Sequence, residues 1–173
     1  MLNLFRRGKT DKAAADRLYV SAVTRAREPV FFVTFGVSDT LDGRFDLLTL
    51  HAWLVLARLN SDLAQTGLAQ AFVNRVFIGF DEALRELGAG DMGMGRRMKK
   101  LADAFYGRLT AYSEASASDD APAAMTQALN RNLYRGTPTP HTAQITEYVL
   151  TTNQHLALTP DGGVDFGVLP EKD

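Results

Sequence analysis

The chain has 173 residues, of which 46% are hydrophobic, so it is long enough for one domain that buries a sizeable core. Its 19 Lys and Arg nearly balance 20 Asp and Glu, and the net charge of −1 removes any overall electrostatic attraction to DNA. The absence of cysteine excludes disulfides, thiolate metal sites and a thiol nucleophile, and it fits a reducing compartment.

The first segment, residues 1–10, is basic and places its cations beside Leu4 and Phe5. No apolar run of the kind found in a secretory signal follows it, so we expect a cytoplasmic protein. Cations beside apolar side chains also suit the surface of an anionic membrane. A peripheral position on the inner face of the cytoplasmic membrane therefore remains open.

Helix one is predicted from Asp11 to Glu28 by its Ala-rich amphipathic spacing, and Pro29 ends it. The next segment, residues 30–35, is rich in Val and Phe. A lone extended segment cannot make a sheet, so we predict a packed loop there.

The most informative stretch is residues 35–57, where a turn-rich, charged lead-in opens onto a helix that is apolar nearly all the way round. Asp42 is predicted as the N-cap of this helix two, which should end near Asn60. Its apolar run holds about half of the ~20 residues needed to span a bilayer, which predicts a core helix covered on all sides. His51 and Trp53 lie near its middle and are expected in the core.

Four more helices are predicted from apolar spacing and end signals. They are helix three over residues 72–87 with Gly88 as its stop, helix four from Asp91 to about Ser116, helix five from Asp119 or Asp120 to Gly136, and helix six from Thr139 to about residue 158. Residues 159–173 are rich in Pro and Gly and are predicted to be extended or mobile. The predicted fold is all-α: one compact helical domain at 11–158, of about six helices around helix two, with irregular segments at 1–10 and 159–173.

No reactive group for catalysis is identifiable. Residues 88–95 contain G-x-G-x-x-G, but a helix rather than a strand precedes them, which argues against a nucleotide site. His141 and His155 would lie ~21 Å apart on one helix and cannot share a metal ion. We therefore expect that the protein is not an enzyme and that it holds no cofactor or metal ion. A small helical enzyme that uses His51 is kept as the weakest alternative.

Two features around the start of helix four suggest binding. Four cations stand close together at Arg96, Arg97, Lys99 and Lys100, which is compatible with anionic lipid, ribosomal RNA, an acidic partner or a solvated helix face. Nearby methionines include Met92 and Met94, whose flexible thioether side chains suit an apolar partner of irregular shape.

Three separated segments carry a resemblance to a known family. They are Phe35-Gly-Val-Ser-Asp-Thr-Leu-Asp-Gly-Arg-Phe-Asp continuing to Leu59, Gly95-Arg-Arg-Met-Lys-Lys-Leu continuing to Arg108, and Ala128-Leu-Asn-Arg-Asn-Leu-Tyr134. In this order, and with the His-x-Trp pair on an apolar helix, they resemble the ubiquinol-cytochrome c chaperone family of alphaproteobacteria and mitochondria. The resemblance covers about residues 29–156.

The resemblance implies an assembly factor that binds newly made cytochrome b and helps to build the cytochrome bc1 complex. It also makes a second assembly factor, the ribosome and an anionic membrane surface candidate partners. The family supplies no catalytic residues, so the contact residues are our interpretation of the side chains. We expect client binding, that is, binding of the protein being assembled, by Phe35, Val37, Phe45, Met92, Met94 and Tyr106, and basic contacts by Arg96, Arg97, Lys99, Lys100 and Arg108.

Overall fold

The computed structural model describes the backbone of residues 2–86, 88, 91–137, 139–159 and 164–169, and their side chains except at 2–9, 91 and 92. Every regular element in these ranges is a helix, which confirms the predicted all-α class. The helices are α1 (Leu2–Ala26), α2 (Pro29–Val33), α3 (Leu41–Asn60), α4 (Thr66–Glu86), α5 (Asp91–Ser116), α6 (Ala121–Asn132) and α7 (Thr142–Leu158), with a 3₁₀ helix at Leu63–Gln65.

Helix α3 is the centre of the fold, as its uniformly apolar sequence predicts. The helices α1, α4, α5 and α7 all pack against it. Residues 49–56 of α3 are buried without interruption, so no side of this segment faces solvent. A helix that is apolar all round is stable only when neighbours cover its whole circumference, and these four helices do so.

The N-cap of α3 lies two residues before the predicted one. Thr40, not Asp42, is the N-cap, and its hydroxyl oxygen accepts a hydrogen bond from the backbone N–H of Gly43 at 3.1 Å. Asp42 instead lies in the first turn, where its negative charge interacts favourably with the positive end of the helix dipole. Gly43 is required here because a Cβ would lie 2.0 Å from the carbonyl oxygen of Ser38.

Two predictions for the first part of the chain are wrong. Helix α1 begins at Leu2 rather than Asp11, so the basic residues before Asp11 form its first turns instead of an irregular segment. No proline interrupts this stretch, and helix formation continues through it. The predicted loop after Pro29 is the short helix α2, with Pro29 in its first turn and Val30 and Phe31 buried, so tertiary packing overrode their extended preference.

The later helices follow the predicted order, although α4 begins at Thr66, six residues before the predicted start at residue 72. Asp120 caps α6, because its carboxylate accepts a hydrogen bond from the N–H of Ala123 at 3.1 Å. Helix α6 ends at Asn132, and Gly136, in a left-handed conformation, closes the turn by donating its N–H to the carbonyl of Asn130 at 2.8 Å.

The described part of the C-terminal tail, residues 164–169, has no regular secondary structure but is packed on the helices. Phe166 is buried, with its ring edge-on to His51 at 5.4 Å and beneath the guanidinium of Arg25 at 5.6 Å. Arg25 also donates a hydrogen bond to the carbonyl of Gly167. The proposed division of the chain at residues 11 and 158 stays a prediction.

Within the described residues, no helix is both long enough and apolar enough to cross a membrane.

Candidate functional site

An open groove with a volume of about 400 Å³ lies between α1, the start of α3, the end of α4 and the middle of α5. Its apolar lining includes Leu41 and Phe45 of α3, Phe80 and Leu84 of α4, and Leu101 of α5. Leu41 is 55% exposed, whereas Phe80 is buried. The groove therefore offers apolar side chains to a molecule that approaches from solvent.

A continuous set of ring contacts extends from the groove to a half-exposed tyrosine. Phe45 lies 5.1 Å from Phe80, and Phe80 lies 6.0 Å from Phe105, between ring centroids. Tyr106 contacts Phe105 and stacks on Phe77 at 5.9 Å, and it remains 51% exposed. Because Phe105 is fully buried, this set packs behind the groove and supports its wall, and Tyr106 is a separate exposed aromatic residue on α5.

The rim of the groove is charged with both signs. Arg44 is paired with Asp39 at 2.7 Å, and Glu82 is paired with Arg75 at 3.4 Å. Arg27, also on the rim, makes no ion pair with any residue that the structure describes. The rim charges are thus largely neutralised within the protein, and the apolar lining dominates what the groove can bind.

Four cations lie close together on the exposed side of α5, near its N-terminal end. We call Arg96, Arg97, Lys99 and Lys100 the basic row. All four side chains are exposed, and within the described ranges none of them pairs with a carboxylate. Because α5 begins at Asp91, these four cations lie in its second and third turns, beyond the first turn in which the helix dipole acts most strongly. The basic row is therefore available to an anionic surface.

The structure places two predicted client residues in or beside the groove and excludes three from the surface. Phe45 lines the groove and Tyr106 is exposed. The expectation that Phe35, Val37 and Met94 lie at the surface is wrong, because they are only 1%, 3% and 8% exposed. The side chain of Met92 lies outside the described residues.

The burial of the lead-in has a local cause. The ring of Phe35 lies 6.2 Å from that of Tyr148, and its carbonyl accepts a hydrogen bond from the Tyr134 hydroxyl at 2.7 Å. The N–H of Val37 donates to the carbonyl of Phe31 at 3.0 Å. These contacts turn the lead-in toward α7 and the core.

The prediction that Arg108 is a surface basic contact is also wrong. Its guanidinium nitrogen Nη2 lies 2.8 Å from Oδ1 of Asp46, a carboxylate with no exposed surface. Arg135 donates a hydrogen bond to the other carboxylate oxygen at 3.1 Å. A buried carboxylate needs such cations, because leaving its charge unpaired away from water is strongly unfavourable.

Burial raises the pKa of Asp46 to about 6, although Arg108 and Arg135 act in the opposite direction. The desolvation of the carboxylate is the larger effect, since water is excluded from its whole side chain. An acidic residue at the start of an otherwise apolar helix was the sequence signal for this site, but the sequence did not identify its partners.

His51 is a core residue, as interpreted from the sequence. Its Nδ1 lies 2.8 Å from the carbonyl of Leu47 and its Nε2 lies 2.9 Å from the hydroxyl of Tyr148. Since a carbonyl only accepts, Nδ1 donates to it and Nε2 accepts from Tyr148. Burial lowers the pKa of His51 to about 4, and His51 lines neither the groove nor the smaller cavity between α1 and the tail.

No group of three or more His, Asp or Glu side chains in the described part of the chain is arranged to hold a metal ion.

Sequence reasoning missed three groove residues, Leu41, Leu84 and Leu101. Each of them has the spacing of a core residue on its own helix. They meet only where the start of α3 and the end of α4 pass the middle of α5. Local periodicity within one helix cannot predict that arrangement.

The fold and the site define a helical protein that carries an apolar groove and an exposed row of cations on its outer face. More particularly, the chain belongs to the ubiquinol-cytochrome C chaperone family, whose model matches residues 33–164. The resemblance carried by the three sequence segments is thereby confirmed.

Relatives in animals share this similarity. The chain is 28% identical over 123 residues to the ubiquinol-cytochrome-c reductase complex assembly factor 1 of Xenopus laevis, which covers 70% of this chain and 60% of the relative. It is 27% identical over 114 residues to the mouse protein of the same name, which covers 63% of this chain and 37% of the relative. The chain therefore spans less than two thirds of the length of these relatives.

A solved structure with the same fold is the crystal structure of the Cbp3 homolog from Brucella abortus. It matches with a TM-score of 0.79 and 38% sequence identity over 99% of this chain and 96% of that chain. The helical arrangement described above is thus shared along nearly the whole length of both chains.

Proposed function

We propose that this protein is a non-catalytic assembly chaperone of the ubiquinol–cytochrome c reductase complex that binds newly made cytochrome b. Its family and the names of its animal relatives support the assembly role. The observation that carries the proposal is the groove, because an assembly chaperone must keep apolar surface accessible for a client that has not yet found its subunits.

The size of the groove suits one part of a membrane-protein segment. Its volume of about 400 Å³ falls within the range of pockets that take drug-sized ligands, so it can accept a few large apolar side chains. Phe45 and Leu101 would contact these side chains inside the groove, and Tyr106 would extend the contact along α5. Because the rim charges are of both signs and largely paired within the protein, the groove would impose little selection on the amino-acid sequence of the client.

The decisive experiment compares two exposed leucines. Leu41 lines the groove, whereas Leu63 is 92% exposed on the 3₁₀ helix and lies outside the groove. Leu41→Glu should keep the fold, since an acidic residue in the first turn of α3 agrees with the helix dipole, but it should reduce cytochrome b capture several-fold. Leu63→Glu should capture cytochrome b as the wild type does.

Capture is measured by affinity purification of the full chain from its native membranes, followed by quantification of the bc1 subunits. The same purification would recover a second assembly factor as a co-purifying protein. Equal cytochrome b recovery by folded Leu41→Glu and wild type would remove the groove as the client site. No recovery of any bc1 subunit by the wild type would reject the chaperone role itself.

The basic row supports a further part of the proposal, a position at the inner face of the cytoplasmic membrane. Each Lys or Arg near an anionic bilayer contributes about 1 kcal/mol to association. Arg97→Glu with Lys100→Glu should therefore abolish sedimentation with vesicles that contain phosphatidylglycerol. Because both side chains are exposed and unpaired among the described residues, unfolding free energy should change by less than about 1 kcal/mol.

The control is Lys12→Glu with Arg17→Glu, two exposed cations of α1, which changes the net charge equally. If both double variants lose vesicle binding to the same extent, the binding depends on net charge and not on the basic row. Vesicle binding by the wild type without capture of cytochrome b would favour the alternative function, a membrane-surface module that has no such client.

A further inference from the structure

An ion-pair network around one buried carboxylate connects three parts of the fold beside the groove. The carboxylate of Asp46 on α3 is fully buried and lies between Arg108 of α5 and Arg135 of the α6–α7 connection. Arg135 has a φ of 55°, a left-handed conformation that is uncommon outside glycine, and it also reaches Asp42 at 3.3 Å.

Only one of the two arginines lies against an aromatic ring of the groove, whereas Arg135 reaches the groove through the exposed Asp42 at its rim. The guanidinium carbon of Arg108 lies 5.3 Å from the centre of the Phe45 ring, which lines the groove, and Nη1 donates to the carbonyl of Ala104 at 3.1 Å. A cation over an aromatic face attracts the ring, most strongly where water is scarce. Among the described residues, Arg135 contacts no aromatic ring.

The position of Arg108 depends on the charge of Asp46. Its Nε atom is buried without a hydrogen-bond partner within the described structure, so besides the ion pair the guanidinium is held there by the Nη1 hydrogen bond to Ala104 and by the Phe45 ring. A buried guanidinium without its counter-charge is strongly disfavoured, and a flexible Arg side chain can move toward water instead. Loss of the negative charge of Asp46 would thus release Arg108 from the Phe45 ring.

The other titratable groups around Asp46 are few. Tyr112 of α5 is buried, and its pKa is raised chiefly by burial and further by the nearby charge of Asp46. Asp42, one turn earlier on α3, shares Arg135, and Arg131 of α6 acts on Tyr112. Burial raises the pKa of Asp46 to about 6, so the carboxylate loses its charge under mildly acidic conditions.

We propose that Asp46 is a positioning residue for the groove: its carboxylate holds Arg108 over Phe45, and loss of that charge changes the shape of the groove. The proposal rests on the proposed function, in which the groove takes an apolar client segment. It assigns the buried pair an effect on client binding that is separate from its effect on folding.

The test reads the groove without a client. Because the chain has no cysteine, Leu41→Cys provides a unique site for a trifluoromethyl label at the groove, and Leu63→Cys provides a matched label away from it. The fluorine NMR resonance at Leu41→Cys should shift when Asp46→Asn or Arg108→Gln is added. The shift should be smaller with Arg135→Gln, which removes the other partner of the carboxylate and the partner of the exposed Asp42 but leaves Arg108 over the Phe45 ring.

A pH titration gives an independent reading. In the otherwise wild-type protein, the Leu41→Cys label should move with a midpoint near pH 6, the Leu63→Cys label should not, and Asp46→Asn should abolish the step. If Asp46→Asn does not fold, Arg108→Lys replaces it, since a lysine keeps the charge but loses the planar guanidinium over the ring. An unchanged Leu41→Cys resonance in folded Arg108→Gln would overturn the proposal.

Cytochrome b capture then separates this proposal from the function on which it rests. If the proposal holds, folded Arg108→Gln should lose capture several-fold relative to Arg135→Gln. Equal capture by these two variants would overturn the role of the pair in client binding. If the wild type captures no cytochrome b, the proposed function is rejected. If the fluorine resonance at Leu41→Cys nevertheless shifts when Arg108→Gln is added, the coupling between Asp46 and the groove still holds.

Discussion

Trp53 shows how a single side chain can join two helices of this fold. It is buried near the middle of α3, and its indole N–H donates to the hydroxyl of Ser113 on α5 at 3.0 Å. Its ring centroid lies 5.8 Å from that of Tyr112, the buried residue that precedes Ser113 on α5. The side chain therefore contributes apolar packing and also satisfies its own polar group.

Truncation of this tryptophan should be severe. Trp53→Ala should reduce the free energy of unfolding by about 3–5 kcal/mol, because it leaves a large cavity between α3 and α5. Trp53→Phe keeps most of the ring volume and should lose less, with the missing hydrogen bond to Ser113 accounting for about 1 kcal/mol. Urea denaturation measures both changes, and equal losses in the two variants would contradict the cavity argument.

At the scale of elements, the contact between α1 and α4 depends on one glycine. A Cβ built on Gly79 of α4 would lie 2.0 Å from the hydroxyl oxygen of Tyr19 on α1. Tyr19 cannot easily move away, because the guanidinium of Arg75 lies 4.2 Å from its ring centre and Arg75 is paired with Asp16 at 3.1 Å. The two helices approach this closely only because position 79 has no side chain.

The same substitution should have opposite effects at two helical glycines. Gly79→Ala should destabilise the protein by about 1–3 kcal/mol through overpacking against Tyr19. Gly107→Ala on α5 should stabilise it by up to about 1 kcal/mol, because nothing lies within 4 Å of the added Cβ and alanine favours the helix. Thermal denaturation of both variants tests this, and stabilisation by Gly79→Ala would contradict the close approach of α1 and α4.

At the scale of the whole molecule, two buried groups make opposite contributions to stability in acid. The pKa of Asp46 is raised from 3.8 to about 6, so its contribution to stability is full below pH 3.8 and is lost as the pH rises through 6. The pKa of His51 is lowered from 6.5 to about 4, so its contribution is full above pH 6.5 and is lost as the pH falls through 4. Each contribution corresponds to about 3 kcal/mol over its full range.

The two contributions should nearly cancel between pH 4 and pH 6 in the wild type. Asp46→Asn should leave an unfolding free energy that increases with pH across this window, because the lowered pKa of His51 is then no longer opposed by the raised pKa of Asp46. His51→Gln should leave one that decreases with pH. Urea denaturation at several pH values measures the slopes, and unchanged slopes in both variants would show that neither group titrates as its burial implies.

Much of the fold follows from the sequence. The period of the apolar residues predicts α4 and α5, and the uniform apolarity of residues 47–57 requires a central helix with neighbours on every side. Asp120 before Pro122 marks the start of α6, since both the side-chain acceptor and the fixed φ of proline favour that position. These signals are local, so each can be recognised before the rest of the chain is placed.

Only the tertiary structure decides which apolar side chains stay accessible. Phe35 and Phe45 have the same chemistry and lie in one sequence segment, yet Phe35 packs beneath Tyr148 while Phe45 opens into the groove. Likewise, Arg108 is turned inward and only 17% exposed because Asp46, far away in the sequence, requires its charge. The sequence determines which face of each helix is apolar, but exposure depends on how well distant elements cover that face, and this coverage is a property of the packed molecule.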